Sequence, residues 1–227
     1  MLKSQPTEER VDVSYSGAMT TSKHLDAIDM AKHRRRPLED TPHTRAYVEM
    51  LSEVAAFHEA LVQANPSREL LDQMTASLAE MRTRLANHLV AEHERWYARG
   101  ELSGSKTQVL MPSLTLEHVD DVTLRAHTVV GEYFMGLNGA MHGGVVSVLF
   151  DTAMGRLAMG TVSRTCRTAY LTTQYRSITP IGKRLELSAT VDSVEGRKRF
   201  ISAQLWHEDT LCAEADALFV ELLPGQQ

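Results

Sequence analysis

The sequence predicts an α+β fold in which one long apolar helix is combined with a mostly antiparallel set of strands. The helix is indicated by the largely apolar stretch from Val145 to Met159. The strands are indicated by runs in which apolar and polar residues alternate, and the clearest of these extends from Leu185 to Val194. One strand-like run precedes the helix and four follow it, at 122–130, 168–177, 185–194, 200–208 and 212–222.

Length and composition limit the class of protein. A chain of 227 residues can bury a sizeable core in one or two domains, and its net charge of −5 gives no indication of a nucleic-acid-binding surface. The two cysteines, Cys166 and Cys212, are too few for a disulfide framework and lack the spacing of metal ligands. No run reaches membrane-spanning length and no secretion signal is evident, so we expect a soluble, cytoplasmic protein without a cofactor or metal.

The region before the predicted sheet divides into two parts. Residues 1–43 are rich in serine, threonine and charge without a hydrophobic period, which predicts a disordered tail. Residues 44–100 have apolar residues at helical spacing on both sides of a break at Asn65-Pro66, which predicts a helical hairpin. We expect Asn65 to cap the second helix and Pro66 to occupy its first position. Residues 101–227 are then the domain that contains the sheet.

The run His142-Gly143-Gly144, directly before the apolar helix, is the strongest indication of a functional site. Glycine allows the backbone to approach a ligand closely, and the amides of the first helical turn carry partial positive charge. Asp151 lies further along the same helix, where an unpaired carboxylate among apolar residues is unfavourable. We therefore expect the glycine amides and this carboxylate to act together on a ligand.

These residues resemble the PaaI-like acyl-CoA thioesterases of the hot-dog fold, over roughly Val109 to Leu223. The resemblance is carried by His142-Gly143-Gly144, by Asp151 nine positions after the histidine, and by Thr168 where the next strand opens. Many family members have an asparagine six residues before the histidine, where this chain has Gly136. The resemblance implies an antiparallel sheet wrapped around one long central helix, hydrolysis of acyl-CoA thioesters, and active sites shared between subunits.

Hydrolysis of a thioester assigns a role to each residue of this motif. Negative charge develops on the carbonyl oxygen, and the amide of Gly143 is the candidate donor to it. Asp151 is the candidate general base or nucleophile, and both chemistries fit. His142 is expected to orient the loop or the thioester, and Thr168 to bond the attacking water or Asp151. Structural alternatives remain open: a glycine for tight helix entry, an aspartate paired with an arginine, and an ordinary strand threonine.

The remaining substrate contacts concern the CoA moiety, whose phosphates need cations. Arg197-Lys198-Arg199 is the best local cluster, although strand alternation would direct Lys198 away from the other two, and a solvated turn is an equal alternative. Asn138 and Gly144, which flank the histidine, are further candidates for contacts with the substrate.

The spacing of the two catalytic candidates predicts a homo-oligomer. Gly143 and Asp151 are eight residues apart, which corresponds to about 12 Å along a straight helix. One carbonyl carbon cannot lie within reach of both. Two antiparallel copies of the helix, packed across a twofold axis, would bring Gly143 of one chain near Asp151 of the other. A dimer is therefore the minimum assembly, and a tetramer remains open.

Two other functions are consistent with parts of the sequence. A hot-dog dehydratase or hydratase places its catalytic histidine and acid differently from this motif. A non-catalytic acyl-CoA-binding or scaffolding protein would keep the pocket without turnover, and the helical hairpin could then cover the site, dock a partner or enlarge the oligomer. The length and type of the acyl group are not specified by the sequence.

Overall fold

The structure is a computed structural model that describes residues 39–91, 94–96, 111–160 and 165–223. Most of the predicted tail of residues 1–43 lies outside these ranges, and its last residues, Pro42 and His43, already belong to the first helix. Within these ranges the α-helices are α1 (Pro42–Gln63), α2 (Arg68–Leu85) and α3 (Gly143–Gly160). The strands are β1 (Thr115–Val119), β2 (Thr123–Val129), β3 (Cys166–Tyr175), β4 (Arg184–Glu195), β5 (Lys198–His207) and β6 (Thr210–Glu221).

The six strands form one antiparallel sheet in the order β1-β2-β4-β5-β6-β3. The five predicted strand-like runs correspond to β2 to β6, and β1 was not predicted. A tight turn with Gly196 at φ +58° joins β4 to β5, as the sequence indicated. Strand β3 forms one edge of the sheet, and the site depends on this position.

Helix α3 packs on one face of the sheet and supplies the centre of the core. Phe150, Met154 and Leu157 are completely buried, and they face strand residues such as Leu185 and Leu205 that are equally buried. Full burial of a side chain of this size stabilises the fold by about 1.5–3 kcal/mol. Although α3 is largely apolar, neither it nor any other helix in the described ranges is long and apolar enough to cross a membrane.

Helix α1 is attached to the domain at a 3-10 turn, Glu132–Phe134, that follows β2. The ring of His58 stacks on the ring of Tyr133, with centroids 4.6 Å apart and planes 12° from parallel. The helix begins with a reciprocal cap, in which the hydroxyls of Thr41 and Thr44 each accept the other residue's backbone N–H. The N-terminus of α1 is therefore capped, and the helix packs against the domain that contains the sheet.

Helix α2 differs from its prediction at its start and contains no buried residue. Its N-cap is Ser67, whose hydroxyl accepts the N–H of Leu70 at 3.3 Å, and not Asn65. Pro66 therefore precedes the helix instead of opening it. The apolar seam of α2, which includes Leu78 and Leu85, is exposed to solvent in the single chain.

Candidate active site

The loop before α3 reverses direction at Asn138 and Gly139, which have φ angles of +54° and +72°. Asparagine and glycine tolerate this left-handed region better than other residues, and Asn-Gly is the typical sequence of such a turn. The N–H of Ala140 donates to the carbonyl of Leu137 at 3.0 Å and closes the turn. The identity of Asn138, a candidate for substrate contact, is thus accounted for by its backbone conformation.

The two arms of this loop lie close together because Gly136 has no side chain. Its N–H donates to the carbonyl of Ala140 at 2.8 Å, and a Cβ atom at Gly136 would lie 3.3 Å from the Cα of His142. The N–H of His142 donates in turn to the carbonyl of Phe134 at 2.9 Å. The departure from the family pattern at position 136 therefore has a steric reason in this chain.

His142 directs its ring to the backbone of the following helix. Its Nδ1 atom accepts the N–H of Gly144 at 3.1 Å, so the neutral ring carries its proton on Nε2. The side chain is otherwise exposed at the surface. An imidazole that is bonded in this way holds the first turn of α3. Its expected role in orienting the thioester stays a prediction.

Gly143 is the first residue of α3, and its amide N–H has no acceptor among the described residues. The first amides of any helix lack an intrahelical partner, so this donor is available to a ligand. The hydroxyl of Tyr175 donates to the carbonyl of Gly143 at 2.8 Å. A Cβ atom at Gly143 would lie 3.0 Å from the same hydroxyl oxygen, so glycine also leaves room for this tyrosine.

Gly143, Ser147 and Asp151 recur every four residues and form one stripe along α3. This stripe faces the edge strand β3. The hydroxyl of Thr168 donates to Oδ1 of Asp151 at 2.7 Å, and the hydroxyls of Ser147 and Thr173 are 3.0 Å apart. The predicted partnership between Asp151 and Thr168 is thus present in the structure.

A β-bulge in β3 makes this arrangement possible. Thr168 and Thr173 are five residues apart, and in a regular strand they would point to opposite faces of the sheet. The pairing of β3 with β6 shifts register between Thr168 and Tyr170, and both threonines reach α3. Bulges commonly redirect a side chain beside an active site.

In the single chain, the stripe lies at an open edge of the molecule. Asp151 and Thr168 are both exposed, and β3 pairs on one side alone, with β6. Two apolar side chains near the loop are also highly exposed: Leu137 at 79% and Ile178 at 70%. Polar catalytic candidates and apolar surface therefore occupy the same edge.

The predicted cation cluster separates into two kinds of residue. Arg199 is only 6% exposed, and its guanidinium pairs with the carboxylate of Glu221 at 3.5 Å. Arg197 donates to the backbone carbonyl of Glu221 at 2.9 Å but stays exposed, as does Lys198. Arg199 is therefore a structural residue here, and the solvent-facing charges of the cluster are those of Arg197 and Lys198.

The two cysteines do not form a nucleophilic site in this structure. Cys166 and Cys212 are both buried, and burial raises the pKa of each thiol above its ordinary value. A raised pKa leaves less of the reactive thiolate at neutral pH. The carboxylate of Asp151 is the more suitable group for attack or base catalysis.

Ser147, Thr173 and Tyr175 belong to the site but were not predicted from the sequence. For Ser147 a signal was present, because it lies midway between Gly143 and Asp151 at helical spacing. No local signal could assign Thr173 and Tyr175, since their position depends on the bulge and on β3 being an edge strand.

Comparison with known proteins finds similar sequences and a similar fold. Residues 138–214 match the model of the Thioesterase superfamily. The acyl-coenzyme A thioesterase THEM4 of Bos taurus is 33% identical over 96 residues, which are 41% of this chain and 39% of that protein. The THEM4 protein of Xenopus laevis is 35% identical over 96 residues, 41% of this chain and 43% of that protein. The matched region thus spans about two fifths of the length of these relatives.

One solved structure, of a thioesterase superfamily protein, aligns with a TM-score of 0.66 at 23% identity. It covers 82% of this chain and 97% of the other, so the likeness in fold extends beyond the sheet and α3 into the N-terminal helices. The pattern around His142, the family model and this fold lead to the same assignment. Residues 138–214 of this chain match the thioesterase superfamily, within a domain of hot-dog architecture.

Proposed function

We propose that this protein hydrolyses acyl-CoA thioesters to the free acid and CoA. The observation that carries the proposal is the stripe of α3 beside the open edge of β3, in which the unbonded amide of Gly143 and the exposed carboxylate of Asp151 face the same strand. Relatives that share about a third of their residues over this region are named acyl-coenzyme A thioesterases. The activity of the whole chain is our inference from this region.

In the proposed chemistry, Asp151 acts at the carbon of the thioester carbonyl and the amide of Gly143 acts at its oxygen. Asp151 either removes a proton from water, whose oxygen attacks the thioester carbon, or attacks that carbon itself to form an anhydride that water then opens. The carbonyl oxygen becomes negative and accepts the N–H of Gly143. The C–S bond breaks as this oxyanion collapses, which on the second path is the step that forms the anhydride. The CoA thiolate leaves and takes up a proton from the water that is consumed. Thr168 holds the carboxylate by its 2.7 Å hydrogen bond.

We propose that the working unit is a dimer joined at the β3 edges. Along β3, Thr168 lies beside Asp151 at one end, and Tyr175 lies beside Gly143 at the other. Antiparallel pairing of two β3 strands across a twofold axis would bring the Thr168 end of one chain to the Tyr175 end of the other. Each site would then combine Gly143 of one subunit with Asp151 of the partner subunit.

The surface around the stripe suits the two parts of an acyl-CoA molecule. Leu137 and Ile178 offer apolar surface for an acyl chain beside the loop that carries Gly143. Arg197 and Lys198 offer exposed positive charge for phosphates. They directly precede Arg199 in the chain. Arg199 and Thr168 pair with Phe219 of β6 from its two sides, so the backbones of Arg199 and Thr168 lie about 10 Å apart.

The test is release of free thiol from short, medium, long and aromatic acyl-CoAs, with two substitutions at one position. Gly143→Pro removes the proposed N–H donor, and proline is well accepted at the first position of a helix. Gly143→Ala is the matched control, since it introduces the same Cβ atom beside Tyr175 and keeps the N–H. We expect Gly143→Pro to lower kcat by roughly 100-fold or more relative to Gly143→Ala.

The possible outcomes distinguish a thioesterase that uses the Gly143 amide, a thioesterase that does not, and a non-catalytic binding protein. Hydrolysis by the wild type that is lost in Gly143→Pro and retained in Gly143→Ala supports both the activity and the donor. Equal kcat in the two variants removes the amide from the mechanism. No hydrolysis of any thioester, together with thermal stabilisation by CoA esters, would replace the proposal with a non-catalytic binding protein.

A further inference from the structure

Helix α1 contacts the 3-10 turn that precedes the His142-Gly143 loop through the carboxylate of Glu59, beside the stacked rings of His58 and Tyr133. The side chain of Glu59 accepts the backbone N–H groups of Glu132 and Tyr133, the latter at 3.0 Å. Glu59 is 73 residues away from this turn in sequence. Hydrogen bonds to an ionised acceptor are roughly twice as strong as neutral ones, so this carboxylate is a firm anchor for the turn.

Gly131 provides the space for this carboxylate. Its φ of −82° lies in a region that any residue can adopt, so the backbone does not require glycine at this position. A Cβ atom there would lie 2.6 Å from Oε2 and 2.8 Å from Oε1 of Glu59. The absence of a side chain at Gly131 is therefore what allows the Glu59 carboxylate to occupy this position.

The anchored turn continues directly into the loop of the site. Phe134, the last residue of the turn, is buried, and its carbonyl accepts the N–H of His142 at 2.9 Å. Gly143 follows as the first residue of α3. Two hydrogen bonds and two peptide bonds, Tyr133–Phe134 and His142–Gly143, thus connect the carboxylate on α1 with the proposed oxyanion donor.

We propose that Glu59 is a positioning residue for the His142-Gly143 loop, so that helix α1 sets the geometry of the active site. This inference rests on the proposed thioesterase function for its kinetic consequence. Glu59 touches neither the substrate nor the reacting atoms. It fixes the turn at residues 132–134, which is hydrogen-bonded to His142, and thereby fixes the direction of the Gly143 amide.

The loop has a second anchor, so losing Glu59 should loosen the site without unfolding the domain. The N–H of Met141 donates to the carbonyl of Thr179 at 2.8 Å, and the N–H of Ile181 donates to the carbonyl of Gly139 at 3.2 Å. These bonds hold the far side of the loop in the absence of α1. The near side, at residues 132–134, is held by the hydrogen bonds to Glu59 and by the stacking of His58 on Tyr133.

The first experiment compares Glu59→Gln with Glu53→Gln in the full chain. Glutamine keeps one acceptor oxygen but presents an NH2 group to the second backbone donor. Glu53 lies exposed on the same helix, so its variant makes the same charge change away from the turn. We expect Glu59→Gln to lower kcat roughly tenfold, since small displacements of a reacting group are costly, while KM changes less than about twofold. The control should match the wild type in both.

The second experiment is a double-substitution cycle with Gly131→Ala. In the wild-type background, the new methyl group must displace the Glu59 carboxylate, so this variant should reproduce the kcat loss of Glu59→Ala. In the Glu59→Ala background it has nothing to displace, and we expect no additional loss. Additive losses would show that Gly131 and Glu59 act independently and would overturn the proposal.

Backbone hydrogen exchange separates this proposal from the proposed function. Faster exchange at residues 132–143 in Glu59→Gln, with exchange in the six strands unchanged, is expected whether or not thioesters are hydrolysed. Unchanged exchange there would overturn the positioning role even in an inactive protein. Hydrolysis by the wild type with unchanged kcat in Glu59→Gln would overturn it too, and would leave the thioesterase assignment intact.

Discussion

A purified heterodimer of two inactive variants provides a demanding test of the shared site. One subunit carries Asp151→Asn and retains the amide of Gly143. The other carries Gly143→Pro and retains its carboxylate. The two groups in one chain are eight residues apart on α3, about 12 Å, which is too far for one thioester carbonyl to reach both.

The expected magnitude follows from the arrangement of the sites. In the heterodimer, one site combines the intact amide with the intact carboxylate, and the other site has neither. We therefore expect about half of the wild-type activity per dimer from a protein whose parent homodimers are both nearly inactive. Co-expression with two different affinity tags and tandem purification would isolate the heterodimer, and free-thiol release would measure its rate. A heterodimer that forms and is as inactive as its parents would refute the cross-subunit geometry.

Three smaller predictions concern the support of the site, surface charge and the core. Thr168→Val removes the hydroxyl that donates to Asp151, and we expect a lower kcat with little change in thermal stability, measured by kinetics and calorimetry. The N–H of Val122, with further hydrogen bonds, lowers the pKa of Asp120. The ionised Asp120 therefore stabilises the fold above the ordinary carboxyl range, and this contribution is lost on acidification. In thermal melts at a series of pH values, Asp120→Asn should lower Tm at pH 7 and reduce the further loss of stability below about pH 4. Leu157→Ala, at a completely buried position, should lower the free energy of unfolding by about 2–5 kcal/mol in urea denaturation, and a loss below 1 kcal/mol would contradict its place in the core.

The sequence was a good guide wherever one face of an element is buried. The run from Leu185 to Val194 lies within β4, and its alternate residues Leu185 and Leu187 are buried as the pattern requires. Such patterns are reliable because burial on one face imposes a period of two on a strand. Five strands and the central helix could therefore be predicted.

Features that depend on distant parts of the chain could not be predicted in this way. The bulge beside Thr168 is set by its pairing with β6, and no local residue pattern marks it. The contact of Glu59 with residues 132 and 133 joins two segments that are far apart in sequence. The prediction that Asn65 caps α2 was wrong for a local reason. Asn65 and Ser67 are both good capping residues, and it is the hydroxyl of Ser67 that accepts the N–H of Leu70. The pair formed by Asp151 and Thr168 was proposed from the family resemblance, and its hydrogen bond is present.

The measurement that tests the central claim most directly compares the wild type with Asp151→Asn for both binding and turnover of the same acyl-CoA. Asparagine has nearly the same shape but can neither accept the proton from water nor attack the carbonyl. We predict that the variant is thermally stabilised by the acyl-CoA as strongly as the wild type. We also predict that its kcat falls by roughly 100-fold or more, which is the contribution typical of a general base. Undiminished thiol release from Asp151→Asn would contradict the account, because the chemistry would then proceed without the carboxylate on which the proposed mechanism depends.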